Sequence, residues 1–86
     1  MITHDSIWGA IDYVADEQKV SPSRLAINCG LNATTFNKSK RCDAYGKSRF
    51  PSFATIAKVL NKSNMSMSEF GSICDNYIKN KNATKG

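Results

Sequence analysis

The sequence predicts an all-α fold, a compact bundle of five helices in a single domain. Apolar residues recur with three- and four-residue spacing in nearly every segment, and no segment alternates apolar and polar residues as a half-buried strand would. Polar capping residues precede most of these segments. The 86 residues suffice for one domain, and 41% hydrophobic with 22% charged residues is typical of a globular chain. The helices are predicted at 4–18, 22–29, 33–40, 52–62 and 67–79.

The first predicted helix carries an apolar stripe along one side. Ile7, Ile11 and Val14 stand at positions i, i+4 and i+7, so one face of this helix should be buried in a core shared with the others. Ile2 lies five residues before Ile7 across the capping residue Thr3, which is the spacing of a hydrophobic staple.

The two helices in the middle of the chain are short and are separated by Gly30. Pro22 suits the first position of a helix, where its missing N–H is not needed. Gly30 can adopt the positive φ with which many helices end, and the small side chain of Ala26 permits the close approach of a neighbouring helix. This arrangement is typical of a helix-turn-helix, in which the second helix enters the major groove of DNA.

The last two predicted helices repeat the apolar spacing of the first and should close the same core. Ser52 is placed to cap one of them, and Ser66 with Glu69 has the spacing of a capping box at the start of the other. The domain is thus predicted at 1–79, and the polar residues 80–86 form a tail or the start of a linker.

The outward side chains of the second central helix are small, polar or basic, as expected for reading bases. Asparagine can bond adenine, lysine can reach guanine, and alanine or threonine methyls can contact the thymine methyl. Hydroxyls near helix starts and basic side chains favour phosphate oxygens. We predict base contacts from Ala33, Thr34, Asn37 and Lys38. We predict phosphate contacts from Ser21, Ser23, Asn32, Thr35, Lys40, Arg41, Lys47 and Arg49. For Asn32 and Thr35, capping within the protein is the alternative.

The net charge of +5 is unevenly distributed. Residues 1–18 carry −4, whereas residues 19–62 carry +8. Such a division indicates one positive face, suited to a polyanion, although a solvated basic face without a ligand is the alternative.

The predicted loop 41–51 supplies three of the basic residues of this central block. Its arginines could follow the DNA backbone or reach a narrow minor groove. Tyr45 and Phe50 could stack on single-stranded bases, but we expect Phe50 to pack against the fourth helix.

Three strings in this region carry a family resemblance. Thr-Thr-Phe-Asn-Lys-Ser-Lys-Arg at 34–41, Gly-Lys-Ser-Arg-Phe-Pro-Ser at 46–52 and Ile-Ala-Lys-Val-Leu at 56–60 resemble the N-terminal domain of phage-repressor-like (XRE/Cro-type) regulators, of the alphaproteobacterial prophage type. The resemblance extends from residue 1 to about 78, and it departs from the family at Ser39, where many members have an apolar residue.

The resemblance implies a lambda-repressor-like helical domain that binds double-stranded DNA and acts as a transcriptional repressor. It implies that residues 33–38 read the bases of an operator. It also implies a homodimer on a palindromic operator, or dimerisation through a LexA-like peptidase domain that often follows in this family.

Other classes of protein find little support in the sequence. His4 is the only histidine and has no nearby partner base, and no glycine-rich phosphate loop is present, so we expect no enzyme. Cys29, Cys42 and Cys74 are widely spaced without a Cys-x-x-Cys pair, so we expect no metal, cofactor or disulfide. Apolar runs are too short for a membrane span, and no signal peptide is recognisable. We expect a cytoplasmic protein associated with the bacterial nucleoid.

A protein-interaction module, such as an antitoxin or an anti-repressor adaptor, is the alternative function. An exposed apolar patch on the last helix would favour it. Met67, Phe70, Tyr77 and Ile78 could provide such a surface or a dimer interface, although in a small bundle these residues more often belong to the core.

Overall fold

The computed structural model describes the backbone of residues 2–85 and the side chains of residues 2–77. Within that range the chain forms four α-helices and a single 3-10 turn, and no strand. The helices are α1 (His4–Glu17), α2 (Pro22–Asn28), α3 (Phe53–Lys62) and α4 (Met67–Lys85), and the 3-10 turn is Lys38–Lys40. The all-α class is therefore confirmed, but the prediction of five helices is wrong, because the helix expected at 33–40 does not form.

For the four helices that form, the predicted starts agree with the structure within one residue. Thr3 and Ser6 form a capping box at α1, and Ser66 and Glu69 bond each other's backbone N–H at the start of α4. Ser52 caps α3 by accepting a hydrogen bond from the backbone N–H of the third helical residue, at 3.1 Å. α4 continues to Lys85, beyond its predicted end at 79.

The core lies where α1 packs against α2 and α4, while α2 also packs against α3. Phe70 and Cys74 are buried there from α4. At Gly9, α1 and α4 come so close that an added Cβ would lie 2.5 Å from Cε1 of Tyr77. Of the interface residues predicted on the last helix, only Met67 is largely exposed, at 47%, and the side chain of Ile78 lies outside the described residues.

The turn after α2 has the predicted conformation. Gly30 has a φ of +77°, and its N–H bonds the Ile27 carbonyl at 3.0 Å. The N–H of Leu31 reaches back to the Ala26 carbonyl at 2.8 Å. These two bonds make a Schellman motif, which requires the left-handed residue that glycine supplies.

Residues 32–40 form two tight turns in place of a helix. Their backbone bonds all span three residues: Thr35 N–H to the Asn32 carbonyl, Asn37 N–H to Thr34, and Lys40 N–H to Asn37. Between the turns, Asn37 is extended, with φ −64° and ψ 148°. No helix can run through that residue.

Side-chain hydrogen bonds hold these two turns. Oδ1 of Asn32 accepts from both the N–H and the hydroxyl of Thr34, at 3.0 and 2.8 Å. The hydroxyl of Thr35 donates to the Asn32 carbonyl at 2.7 Å. The Phe36 carbonyl accepts from the Arg41 guanidinium at 3.0 Å, whereas in an α-helix its partner would be the N–H of Lys40. Thr, Asn and Ser, whose helix propensity is low, also occupy four of the eight positions 33–40.

Candidate nucleic-acid interface

The segment 32–40 is fixed by one buried side chain and presents its others outward. Phe36 is 1% exposed and belongs to the core. Thr34 and Lys38 are exposed, and Asn37 and Ala33 are half-buried. A single apolar anchor thus holds the segment against the helices while its polar side chains face the surface.

Arg41 connects this segment with α1. Its Nη1 and Nη2 donate to the two carboxylate oxygens of Asp12 at 3.0 and 2.7 Å, and Cζ lies 4.7 Å from the centroid of the Trp8 ring. The Arg41 side chain is 13% exposed. Because its guanidinium is occupied by Asp12, Trp8 and the Phe36 carbonyl, we assign it a structural role and leave Arg41 out of the candidate interface.

Residues 41–49 form a hairpin, which we call hairpin 41–49. The N–H of Arg49 bonds the Arg41 carbonyl at 2.9 Å, the N–H of Asp43 bonds the Lys47 carbonyl at 2.8 Å, and Cys42 and Ser48 form an isolated antiparallel bridge. Gly46, at φ +80°, turns the chain at the tip. The loop predicted at 41–51 is therefore an ordered element.

The base of hairpin 41–49 is attached to α1. Nε1 of Trp8 donates to the Arg49 carbonyl at 2.8 Å, and Nε2 of His4 lies 2.8 Å from the Arg41 carbonyl oxygen. The Phe50 ring meets the His4 ring edge-on, at 5.6 Å between centroids, and is more than half exposed. Phe50 thus contacts α1 through His4.

An open cleft of about 400 Å³ lies between the segment 32–40, the end of the hairpin and the start of α3. We call it the basic cleft. Five residues predicted to bind DNA line it together: Asn32, Thr34, Thr35, Lys40 and Arg49. Hydroxyls of Ser52 and Thr55 contribute from the first turn of α3. Cations and hydroxyls on one open surface are the groups that phosphate oxygens accept from.

A smaller cleft of about 240 Å³ lies on the other side of the segment, between it and the start of α2. Ser23, Asn37 and Lys38 line it, next to the Asp12–Arg41 pair. Of the remaining predicted residues, Ser21 caps α2 by accepting from the Arg24 N–H at 3.1 Å. Lys47 is exposed on the hairpin.

The two acidic residues of this region, Asp12 and Asp43, bond groups of the protein itself. Oδ1 of Asp43 accepts from the backbone N–H groups of Tyr45 and Lys47, at 2.8 and 2.9 Å. Asp12 pairs with Arg41. The exposed cations of the segment and hairpin are Lys38, Lys40, Lys47 and Arg49. The outward charge of this face is therefore positive.

The cysteines and acidic groups give no sign of a metal centre. Among the described residues, no three His, Cys, Asp or Glu side chains lie close enough together to hold an ion. The three cysteines are free thiols. Burial raises the pKa of Cys74 and of Cys29. For Cys29 the positive charge of Lys62 acts in the opposite direction.

The contacts that Asp12, Trp8 and His4 make with Arg41 and Arg49 were not predicted from the sequence. Their partners lie 29 to 41 residues away along the chain, so no local spacing marks them. The only sequence signal was an acidic first helix beside a basic central block, and that signal does not select one pair.

Comparisons of this chain with protein families, with curated proteins and with solved structures find no match. The fold and geometry alone define its class, a compact all-α domain of four helices and a 3-10 turn within the described residues. None of the helices in that range is long and apolar enough to cross a bilayer.

Proposed function

We propose that this chain is a sequence-specific, double-stranded DNA-binding transcription regulator, acting as a repressor of the phage-repressor-like type. The observation that carries the proposal is the meeting of Asn32, Thr34, Thr35, Lys40 and Arg49 around the basic cleft. These residues come from two elements on either side of the Arg41 anchor. Their chemistry matches a DNA backbone beside a base edge.

In this proposal the segment 32–40 meets the major groove as two turns instead of a helix. Asn37 and Lys38 supply the amide and the ammonium that bond adenine and guanine edges. Thr34 offers its methyl group, since its hydroxyl already donates to Asn32. Ala33 is half-buried and contributes at most a methyl contact.

The phosphate contacts come from both sides of the segment. Lys40 and Arg49 line the basic cleft, and Ser23 lines the smaller cleft together with Lys38. Lys47 extends the positive surface along the hairpin. Such contacts set the register on the duplex and release counterions, so binding should weaken steeply with salt.

The protein-interaction alternative called for an exposed apolar patch on the last helix. Among the large hydrophobic side chains described on α4, Met67 alone is exposed. We therefore keep DNA binding as the proposed function and treat protein interaction as an outcome of its test.

The test is selection of duplexes from a random library, followed by salt titration of the enriched sequence. Asn37→Ala or Lys38→Ala should relax preference at one base position, by about 1–3 kcal/mol. Lys40→Ala or Arg49→Ala should weaken binding to all sequences and reduce the salt slope by about one phosphate contact each.

Lys62→Ala is the matched control, because Lys62 ends α3 seven residues, or about 10 Å at the usual helical rise, beyond Thr55, which lines the basic cleft. It removes one exposed positive charge but should change affinity little. If no duplex is enriched, the proposal fails and protein interaction takes its place. An enriched site with two half-sites one helical turn apart would identify a dimer on DNA.

A further inference from the structure

Hairpin 41–49 is more ordered than its exposure would suggest. Asp43 organises the turn with three bonds: its N–H to the Lys47 carbonyl and its carboxylate to the N–H groups of Tyr45 and Lys47. The N–H of Gly46 bonds the Asp43 carbonyl at 3.0 Å. A network of this kind gives the tip one preferred conformation.

The order of the hairpin does not come from packing at its tip. Tyr45 is 92% exposed, and the side chains of Ala44, Lys47 and Ser48 are exposed as well. The base of the hairpin is attached to α1, through Trp8, His4 and the Arg41–Asp12 pair. A fixed turn that presents a tyrosine to solvent is suited to contact with a partner, because tyrosine combines an apolar ring with a hydrogen-bonding hydroxyl.

The charge of the hairpin indicates which partner fits. The Asp43 carboxylate faces the backbone amides of the turn, and Lys47 and Arg49 are exposed. Arg49 also lines the basic cleft, so the cationic surface of the segment 32–40 continues into the hairpin. A polyanion that lies across the cleft would reach the hairpin next.

We propose that hairpin 41–49 is a second DNA-binding element, and that Tyr45 at its tip contacts the sugars and the edge of the minor groove beside the operator bases that the segment 32–40 reads. This inference rests on the proposed function and adds a residue and a groove to it. The phenol ring packs on the sugars, and Lys47 bonds the neighbouring phosphate. The hairpin thereby extends the binding site into flanking sequence.

The test is hydroxyl-radical footprinting and affinity measurement on the enriched duplex, carried in a long fragment. Tyr45→Ala should remove protection at the flank, leave central protection in place and weaken binding about 5- to 20-fold, within the range of a lost base or sugar contact. Its salt slope should equal that of the parent, because no charge is lost, whereas Lys47→Ala should lower the slope by about one contact.

Tyr13→Ala is the matched control, since Tyr13 is 48% exposed on α1 and donates to Glu17 at 3.0 Å. It should bind and footprint like the parent. If Tyr45→Ala also matches the parent in both measurements, the hairpin proposal is overturned while the proposed function stands. If the parent protein protects no duplex from hydroxyl-radical cleavage, the proposed function is wrong, and this inference, which rests on it, is wrong as well.

Discussion

The guanidinium of Arg41 and the carboxylate of Asp12 form a two-point ion pair, with Nη1–Oδ2 at 3.0 Å and Nη2–Oδ1 at 2.7 Å. The same Nη2 donates to the Phe36 carbonyl at 3.0 Å. This side chain, from the first residue of the hairpin, therefore ties α1 to the middle of the segment 32–40. The planar fork of arginine suits this arrangement, and lysine could not reproduce it.

Removing this side chain should destabilise the fold. We expect Arg41→Ala to lower the free energy of unfolding by about 1–3 kcal/mol, because charged hydrogen bonds are lost, although Asp12 remains partly solvated. Arg24→Ala removes an exposed arginine of α2 and should change stability by less than about 0.5 kcal/mol. Urea unfolding of both variants measures the difference, and equal midpoints would contradict the anchoring role.

Two glycines in helices should respond to alanine in opposite directions. Gly9→Ala places a methyl group 2.5 Å from the Tyr77 ring, so we expect a loss of about 1–3 kcal/mol from overpacking. At Gly71 in α4 no atom lies within 4 Å of an added Cβ, and alanine there should add about 0.4–1 kcal/mol by restricting the unfolded chain. Thermal unfolding checks the sign of each change, and a stabilising Gly9→Ala would show that α1 and α4 are less closely packed than described.

Two substitutions of Asn32 distinguish its contribution to stability from its contribution to DNA binding. Asn32→Ala removes the oxygen that accepts from Thr34 and should cost about 1 kcal/mol of stability. Asn32→Asp keeps an acceptor and should retain stability, but its negative charge in the basic cleft should weaken DNA binding. Denaturation and binding are measured on both variants. An aspartate variant that binds as well as the parent would remove Asn32 from the DNA face.

The three thiols should react in order of their exposure. Cys42 is exposed, Cys29 is half-buried and Cys74 is buried. Because burial raises the pKa of Cys74, a smaller fraction of this thiol is ionised to the reactive thiolate than of an exposed cysteine with an ordinary pKa. A disulfide reagent at mildly alkaline pH should show one fast phase, which Cys42→Ser abolishes. Two fast thiols in the folded protein would mean that the core opens on the time scale of labelling.

The helices could be predicted because their signals are local. Thr3, Ser21, Ser52 and Ser66 each bond the N–H three residues later, and such caps are legible from spacing alone. The Schellman turn at Gly30 is equally local. The failure at 33–40 has a physical reason: Phe36 gives helical spacing, but its carbonyl bonds the Arg41 guanidinium in place of the Lys40 N–H, and Arg41 lies outside the segment.

Several residues of the candidate interface could be predicted from the sequence, but the contacts that hold them in place could not. Charge and residue type identified Lys40 and Arg49, which the fold then brings to one cleft. Nothing in the spacing distinguished Arg41 from them, because its partner Asp12 is a long-range contact. Which of several arginines becomes structural depends on packing and not on the sequence around it.

The bonds that hold the segment 32–40 come from its two ends, from Asn32 at the start and from Arg41 after its last residue. Apart from Phe36 and the hydroxyls of Thr34 and Thr35, which bond Asn32, the side chains between these ends carry little of the fold. Positions 33, 37 and 38 can therefore be exchanged while the residues that hold the segment are kept. A library randomised at those three codons should yield mostly folded proteins, and selecting it against unrelated duplexes would turn this domain into a source of new DNA specificities.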